Sequence, residues 1–197
     1  MPNWCQTRLT INHENTSKLK EFETLIDKWT SKNYIPNGFG LNWLGNIVGN
    51  SGIGTVDEGE DTDLRCRGEI IDTEVRDKQL VIDTETAWSP MLKMWTKLLE
   101  KYLPGAELIF VAREDGNCFY STNDPYLKGR YVVDACLFDG VDSDYEASED
   151  YVREILQELL KSDDDDVPRL LKRFEKSEYK NKLYIDPWEF DKITDWA

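Results

Sequence analysis

Hydrophobic residues recur with two periods along the chain, and these periods predict alternating strands and helices. Residues 7–12 alternate apolar and polar side chains, which is the pattern of a half-buried strand. Residues 16–30 place apolar side chains on one helical face, directly after potential N-caps at 15–17. Ser89, followed by a proline at the first helical position, predicts the start of a second helix that ends before Pro104.

Further strands are predicted on both sides of the second helix. Alternation and turn residues place them at 69–74, 79–86, 107–113 and 118–122. The order through residue 113 is then β-α-β-β-α-β. This order is typical of an α+β, ferredoxin-like domain, a split β-α-β arrangement in which an antiparallel sheet carries both helices on one face. We expect the strand at 118–122 and another at 130–138 to extend that sheet.

Two regions depart from this order. Residues 31–67 contain seven glycines and are predicted to form a long irregular insertion, with room for one short element around residues 41–48. Beyond residue 140 the apolar spacing is helical, with Ser148 as a potential N-cap. We therefore predict one α+β domain over 1–140 and an acidic helical C-terminal extension over 141–197 that packs on the same domain.

The composition is that of a folded chain, because 40% of the residues are hydrophobic and there are seven Trp, nine Tyr and seven Phe. No apolar run approaches the ~18 residues of a membrane helix. The N-terminus lacks the basic and apolar regions of a signal peptide, so we expect a cytoplasmic protein. The cysteines at positions 5, 66, 118 and 136 form no C-x-x-C pair and are expected to be free and mostly buried.

The net charge of −15 is concentrated in two segments. Residues 57–63 hold five acids and no bases, and residues 141–166 hold eleven acids against Arg153 and Lys161. The remainder of the chain is nearly neutral. A polyanionic surface repels nucleic acid and anionic membranes and attracts basic protein surfaces. The charge therefore predicts a protein partner with a basic surface, without direct nucleic-acid or membrane binding.

Two tryptophan-containing strings, Pro2-Asn3-Trp4-Cys5 and Thr86-Ala87-Trp88-Ser89-Pro90, occur together with Glu114-x-Gly116 and Phe119. This combination resembles the YubB-like family, proteins of plasmids and phages with a ferredoxin-like domain. The likeness covers roughly residues 1–30 and 80–125, and departs from the family pattern at Thr7 and Met91. The resemblance implies a mobile-element origin and a bacterial host, and it carries over no catalytic residue.

Glycines at positions 45, 49, 52 and 54 suggest a phosphate-binding loop. Neither the P-loop Lys-Ser/Thr nor a complete G-x-G-x-x-G follows, because Asp57 stands where the last glycine belongs. Asp57, Glu58 and Glu60 would also repel a phosphate. We predict a flexible loop and no bound cofactor.

Catalytic and metal-binding groups are sparse. His13 is the only histidine, so a histidine-based zinc site or a Ser-His-Asp triad lacks its components. Cys5 and His13 would lie ~25 Å apart along an extended strand, too far for a catalytic pair. The acids at 142, 144 and 146 and at 163–166 lack the glycine and terminal glutamate of a calcium loop. We predict no catalytic residue and no metal ligand, and an enzyme is the less favoured class.

The leading hypothesis is a non-enzymatic binding protein whose acidic surface docks on a basic host or defence protein, as an inhibitor or a DNA mimic. The candidate partner-binding residues are Asp57, Glu58, Glu60, Asp61, Glu149, Asp150, Glu154, Glu158, Asp163, Asp164, Asp165 and Asp166. Trp4 and Trp88 are expected to pack under the sheet edge, and the alternative is a shared exposed aromatic anchor for a partner.

Two other classes are kept as alternatives. A pocket beside the 31–67 insertion, lined by Tyr34, Trp43 and Trp88, would indicate a small-ligand-binding protein or an enzyme. The third class is a structural or oligomeric element.

Overall fold

The computed structural model describes residues 3–36, 38–56, 64, 66–135, 138 and 140–190. These residues form an α+β structure with five helices and antiparallel sheets, which confirms the predicted class at that level. They divide into two compact units, 3–123 and 124–190. No helix among the described residues is long and apolar enough to cross a membrane.

The first unit contains five strands and three helices, most of them close to the predicted bounds. They are β1 Trp4–Asn12, α1 Thr16–Thr30, α2 Leu44–Ser51, β2 Gly68–Arg76, β3 Gln79–Ala87, α3 Leu92–Tyr102, β4 Glu107–Glu114 and β5 Phe119–Thr122. Asn15 is the N-cap of α1, because its side chain accepts from the N–H groups of Ser17 and Lys18.

The strands of this unit lie in the order β2-β3-β1-β4-β5, and each neighbouring pair is antiparallel. The central strand β1 pairs with β3 from Trp4 opposite Ala87, and with β4 from Gln6 opposite Arg113. Three segments that are distant in sequence therefore meet at one end of the sheet. They are the start of β1 and the ends of β3 and β4.

One face of this sheet is largely apolar and forms the core of the first unit. Alternate residues of β1 are buried, as the strand pattern predicted. They join the buried faces of α1 and α3 in one cluster, whose largest fully buried side chains are Trp95, Phe22 and Phe110. The ring of Trp29 in α1 lies 4.8 Å from that of Tyr102 in α3, so the two helices are in contact.

The start of α3 differs from the prediction, because Ser89 is not its N-cap. Trp88 has a left-handed backbone with φ of +68°. The Thr86 hydroxyl donates to the Ser89 carbonyl at 2.8 Å. This turn keeps residues 88 and 89 out of the helix, which begins at Leu92 after Met91, a residue without a side-chain cap.

The predicted irregular insertion contains a helix, α2, that is tied to the segments around it. The side chain of Asn46 is fully buried, and its oxygen accepts from the Tyr34 N–H at 2.9 Å. Its amide nitrogen donates to the carbonyls of Gly40 and Leu41 at 3.0 and 2.9 Å. The buried side-chain amide of Asn46 thus forms hydrogen bonds with three backbone groups of the irregular segment before α2.

The second unit has its own small sheet. The helices and strands of the second unit are β6 Tyr131–Asp134, β7 Asp144–Ala147, α4 Glu149–Leu160, α5 Val167–Phe174, β8 Tyr184–Pro187 and β9 Glu189–Phe190. Strand β6 lies between β7 and β8 and is antiparallel to both. The expectation that 130–138 extends the first sheet is therefore wrong, because both edges of β6 are already paired. The region beyond 140 contains the two expected helices, and it also contains three short strands that the helical spacing did not predict.

The core of the second unit lies between this sheet and the two helices. Val133, Val152, Leu156 and Leu170 are completely buried in one cluster. Ser148 caps α4 as predicted, accepting from the Tyr151 N–H. These buried side chains come from β6, α4 and α5, so the unit needs both helices to cover its sheet.

Candidate functional site

The predicted acidic residues of the second unit lie on α4 and on its connection to α5. Seven of them are exposed: Glu149, Asp150, Glu154, Glu158, Asp163, Asp165 and Asp166. Asp164 is half-buried. Asp57, Glu58, Glu60 and Asp61 lie outside the described residues.

Three of these acids form a row along α4, which we call the acidic ridge: Asp150, Glu154 and Glu158. Their i, i+4, i+8 spacing puts them ~6 Å apart along the helix axis. Asp150 forms an ion pair with Arg153. Neither the Glu154 side chain nor the Glu158 side chain forms an ion pair or hydrogen bond with another described residue. Within the part of the chain that the structure describes, two carboxylates of the ridge are thus exposed without an ion-pair partner.

The aspartate run has a structural role. Asp166 is the N-cap of α5, because its side chain accepts from the Arg169 N–H at 2.8 Å. The Asp164 side chain accepts from the Asp166 N–H at 3.1 Å. Asp165 accepts from the Gln157 amide at 3.0 Å. The run therefore shapes the connection between two helices, and only part of its charge is available to a partner.

The other acidic candidate for a cation lies around β7. Asp142, Asp144 and Glu146 are exposed, and the Asp144 side chain accepts from the Glu146 N–H at 2.8 Å. Across the described residues, no three His, Cys, Asp or Glu side chains are grouped so that they could hold a metal ion.

The two tryptophan-containing strings meet at the end of the first sheet. Trp4 is paired with Ala87, and the Trp88 N–H donates to the Asn3 carbonyl at 3.0 Å. The Trp4 and Trp88 side chains are 51% and 49% exposed. The expectation that they pack under the sheet edge is therefore wrong, since Trp4 occupies an outward position of β1 and Trp88 a left-handed turn. Their exposure agrees with the alternative of an aromatic anchor.

A cleft of ≈ 310 Å³ opens beside Trp4 and contains a buried carboxylate. The residues that line it are Asn3, Trp4, Gln6, Arg113, Glu114, Asp115 and Gly116. Glu114 is only 2% exposed, and its Oε1 accepts from the Gly116 N–H at 2.6 Å. A Cβ at Gly116 would lie 2.7 Å from the Asn3 amide nitrogen, so the glycine permits this close approach.

Sequence reasoning noted Glu114 and Gly116 only as part of a resemblance and did not assign them to a site. A usable signal was nevertheless present in β4. Leu108, Phe110 and Ala112 alternate inward, and Glu114 continues the same period. A carboxylate in register with three buried apolar residues is unusual, because burying a charge is costly without hydrogen bonds or a counter-ion.

Among the described cysteines, the two buried thiols are not reactive nucleophiles. Cys5 and Cys66 are buried free thiols, as predicted, whereas Cys118 is exposed. Cys136 lies outside the described residues. Burial raises the pKa of Cys5 to about 11, with a smaller contribution from the nearby Glu114 carboxylate, and burial raises the pKa of Cys66 to about 12. Both are therefore protonated at neutral pH, and neither is a thiolate nucleophile.

The glycine-rich stretch and its aromatic neighbours are packed together. Gly45 and Gly49 lie within α2, so the expectation of a flexible loop is wrong for them. A Cβ at Gly45 would lie 2.3 Å from the ring of Trp43, and one at Gly49 would lie 2.2 Å from that of Tyr34. These rings cover helix glycines and do not line either of the two cavities that we describe. The second cavity, ≈ 230 Å³, lies at the C-terminal end of α3 and has a largely apolar lining.

No family model, curated protein or solved structure matches this chain. The likeness to the YubB-like family stays a prediction from the two tryptophan-containing strings.

Proposed function

We propose that the chain is a non-enzymatic binding protein of a phage or plasmid, whose acidic ridge docks on a basic surface of a bacterial host or defence protein. The observation that carries the proposal is the exposure of Glu154 and Glu158 on one side of α4, where neither side chain forms an ion pair with another described residue. Uncompensated carboxylates on a rigid helix attract a basic surface and accelerate its association. They also repel nucleic acid and anionic lipid.

The ferredoxin-like fold of the first unit belongs to the same proposal. Strands β2-β3-β1-β4 lie side by side, and α1 and α3 lie on the connections that cross between non-adjacent strands. This interleaving supports a split β-α-β domain, with β5 added at one edge and α2 inserted after α1. A cytoplasmic location would follow from a host protein as the partner.

The spacing of the ridge favours a protein surface over complete mimicry of DNA. Duplex DNA carries one charge per about 1.7 Å of axis, which is about seven charges over the ~12 Å spanned by the ridge. The ridge presents three acids over that length, and Asp150 is already paired with Arg153. We therefore propose an inhibitor or adaptor that meets a basic patch, and DNA mimicry becomes one outcome of the test.

The test is affinity capture from a bacterial lysate with three versions of the full chain as bait. These are the wild type, Glu154→Lys/Glu158→Lys, and a control, Glu21→Lys/Glu100→Lys, with the same change in net charge at exposed positions of the first unit. Lysine near the C-terminal end of α4 is favourable to the helix dipole, so the ridge variant should stay folded. Circular dichroism and thermal melting check this for both variants.

A basic protein retained by the wild type and the control, and lost from the ridge variant, would support the proposal. Its purified form should bind with an affinity that falls as salt rises. Release of that protein from DNA by this chain would identify DNA mimicry. Equal retention by all three baits would reject the acidic ridge as the docking surface.

A further inference from the structure

A basic segment follows the aspartate run in the second unit. Residues 167–182 hold six bases against two acids, although the chain as a whole has a net charge of −15. Two of the bases are engaged locally, because Arg169 forms ion pairs with the aspartate run and Arg173 donates to the Ser162 hydroxyl. The four lysines of the segment are exposed, and none of their side chains forms an ion pair or hydrogen bond with another described residue.

Two of these lysines, Lys172 and Lys176, form what we call the basic row. Lys172 lies two positions from the buried Leu170 and from the buried Phe174, so it is on the side of α5 turned away from the core. The backbone is still helical at Glu175, with φ of −56° and ψ of −23°. The Lys176 N–H then donates to a carbonyl three residues earlier at 3.1 Å. The two lysines are therefore about one helical turn apart, ~6 Å along the axis.

The basic row matches the acidic ridge in spacing and is opposite to it in charge. Glu154 and Glu158 are also one helical turn apart on an exposed side of a helix. Two carboxylates ~6 Å apart can face two ammonium groups ~6 Å apart in one register, whichever way the two helices run. Within the described residues, no ion pair joins the row to the ridge. Each surface thus has its charge available to another molecule.

We propose that the chain self-associates, with the basic row of one copy docked on the acidic ridge of another. Both surfaces belong to the second unit, so every copy carries the two complementary halves of the contact. The contact closes into a dimer if a twofold axis relates the copies, and otherwise continues head to tail. A second copy would cover the ridge that the proposed function assigns to a host protein, so self-association and host binding would compete.

Salt should control this association, because two opposing electrostatic effects act on it. The net charge of −15 repels any second copy over a distance, whereas the row and the ridge attract at contact. At about 0.1 M salt the Debye length is about 10 Å, so the distant repulsion is largely screened. At about 1 M it falls to about 3 Å, and the contact pairs weaken as well. A contact made mainly of exposed charge pairs should have a Kd on the order of 0.1–1 mM at the lower salt concentration.

The experiment is analytical ultracentrifugation of the purified full chain at concentrations up to about 1 mM, at both salt concentrations. Lys172→Glu/Lys176→Glu reverses the basic row. Its matched control is Lys28→Glu/Lys32→Glu in the first unit, where two exposed lysines have the same spacing around the end of α1. Both variants make the same change in net charge at a helix C-terminus, so their cost to the helix dipole is similar. Circular dichroism checks that each is folded.

A mixture of two variants provides the sharpest measurement. Lys172→Glu/Lys176→Glu has two acidic surfaces, and Glu154→Lys/Glu158→Lys has two basic ones, so each alone should associate at least about tenfold more weakly than wild type. An equimolar mixture restores the complementary contact and should associate again. If glutamate at these positions unfolds α5, Lys172→Gln/Lys176→Gln removes the charge without reversing it and should weaken association about threefold.

Salt-sensitive association of the wild type and the control, lost in both variants and restored in their mixture, would support the proposal. It is overturned if the wild type stays monomeric throughout, if reversing the basic row has no effect, or if the mixture does not associate. A labelled DNA duplex that bound a monomeric wild type and not the row variant would assign the basic row to nucleic acid instead. Since only the purified chain is used, the outcome does not depend on whether a host partner exists.

Discussion

The glycine-rich segment around α2 and the aspartate run before α5 differ in sequence, but each has a composition that suggests a ligand-binding loop. In the structure, neither segment is left open for a ligand, because groups of the same unit contact it. The glycines of α2 make room for the rings of Trp43 and Tyr34, whereas the aspartates accept hydrogen bonds from backbone N–H groups. Composition marked both segments as unusual, but the groups that contact the glycines and the aspartates belong to this chain and not to a ligand.

The two segments use different physical means. Around α2 the requirement is steric, because a buried ring lies against a backbone that has no Cβ. Before α5 the requirement is an acceptor oxygen at the start of a helix. Added volume should therefore harm the first unit, and loss of an oxygen should harm the second.

The largest effect is expected for Gly45→Ala. Trp43 is 7% exposed and its Nε1 donates to the Cys66 carbonyl at 2.6 Å, so the ring is held where the new methyl group would lie. Overpacking should lower the free energy of unfolding by about 1–3 kcal/mol, even though alanine has the better helix propensity by about 1 kcal/mol. Urea unfolding of the full chain measures this.

The control for that prediction is Gly38→Ala. No atom lies within 4 Å of the position that a Cβ would take at Gly38. This variant should be neutral or slightly stabilising. A Gly45→Ala protein as stable as wild type would mean that α2 glycines are not required by close packing, and the contrast between the segments would disappear.

A middle-sized effect is expected for Asp166→Ala. Loss of the N-cap removes the side-chain acceptor of the Arg169 N–H, leaving it only the Asp166 carbonyl, and should cost about 1 kcal/mol of unfolding free energy. Asp166→Asn, which keeps an oxygen, should recover most of it. Hydrogen exchange of the α5 amides reports the change locally.

Asp163→Ala provides the reference, because Asp163 is exposed and forms no hydrogen bond or ion pair with another described residue. It should change stability by less than about 0.5 kcal/mol. Equal losses for Asp163→Ala and Asp166→Ala would show that the run acts through its total charge.

The smallest effect tests a carboxylate of the first unit. Partial burial, and then the neighbouring Asp27, raise the pKa of Glu23 above its ordinary value. The folded state therefore favours the protonated form of Glu23. The stability that Glu23 contributes is fully present below its unfolded-state pKa and is lost as pH rises through its folded-state pKa. Glu23→Gln should raise the Tm at pH 7 by no more than about 2 °C.

At pH 3 the glutamate is protonated in both states, so wild type and Glu23→Gln should melt together. The exposed Glu21 lies on the same helix, and Glu21→Gln serves as the control. A gain for Glu23→Gln that persisted at pH 3 would have to come from something other than ionisation.

Much of the architecture of the first unit could be predicted from local pattern. The helix over 16–30 was placed at its observed bounds, because its apolar spacing and its Asn15 cap are both local features. The start of α3 was missed, since the left-handed Trp88 and the Thr86–Ser89 hydrogen bond are not visible in a spacing pattern. The strand at 130–138 was recognised but assigned to the wrong sheet, because strand partners are set by the whole chain.

The sequence by itself determined the α+β class, the acidity of residues 141–166, and the residues of the acidic ridge. These follow from periodicity and composition, which act over a few residues. Only the tertiary structure decided that Asn3, Trp4, Glu114 and Gly116 line one cleft. Antiparallel pairing of β1 with β4 brings together groups more than a hundred positions apart, and no local pattern contains that distance.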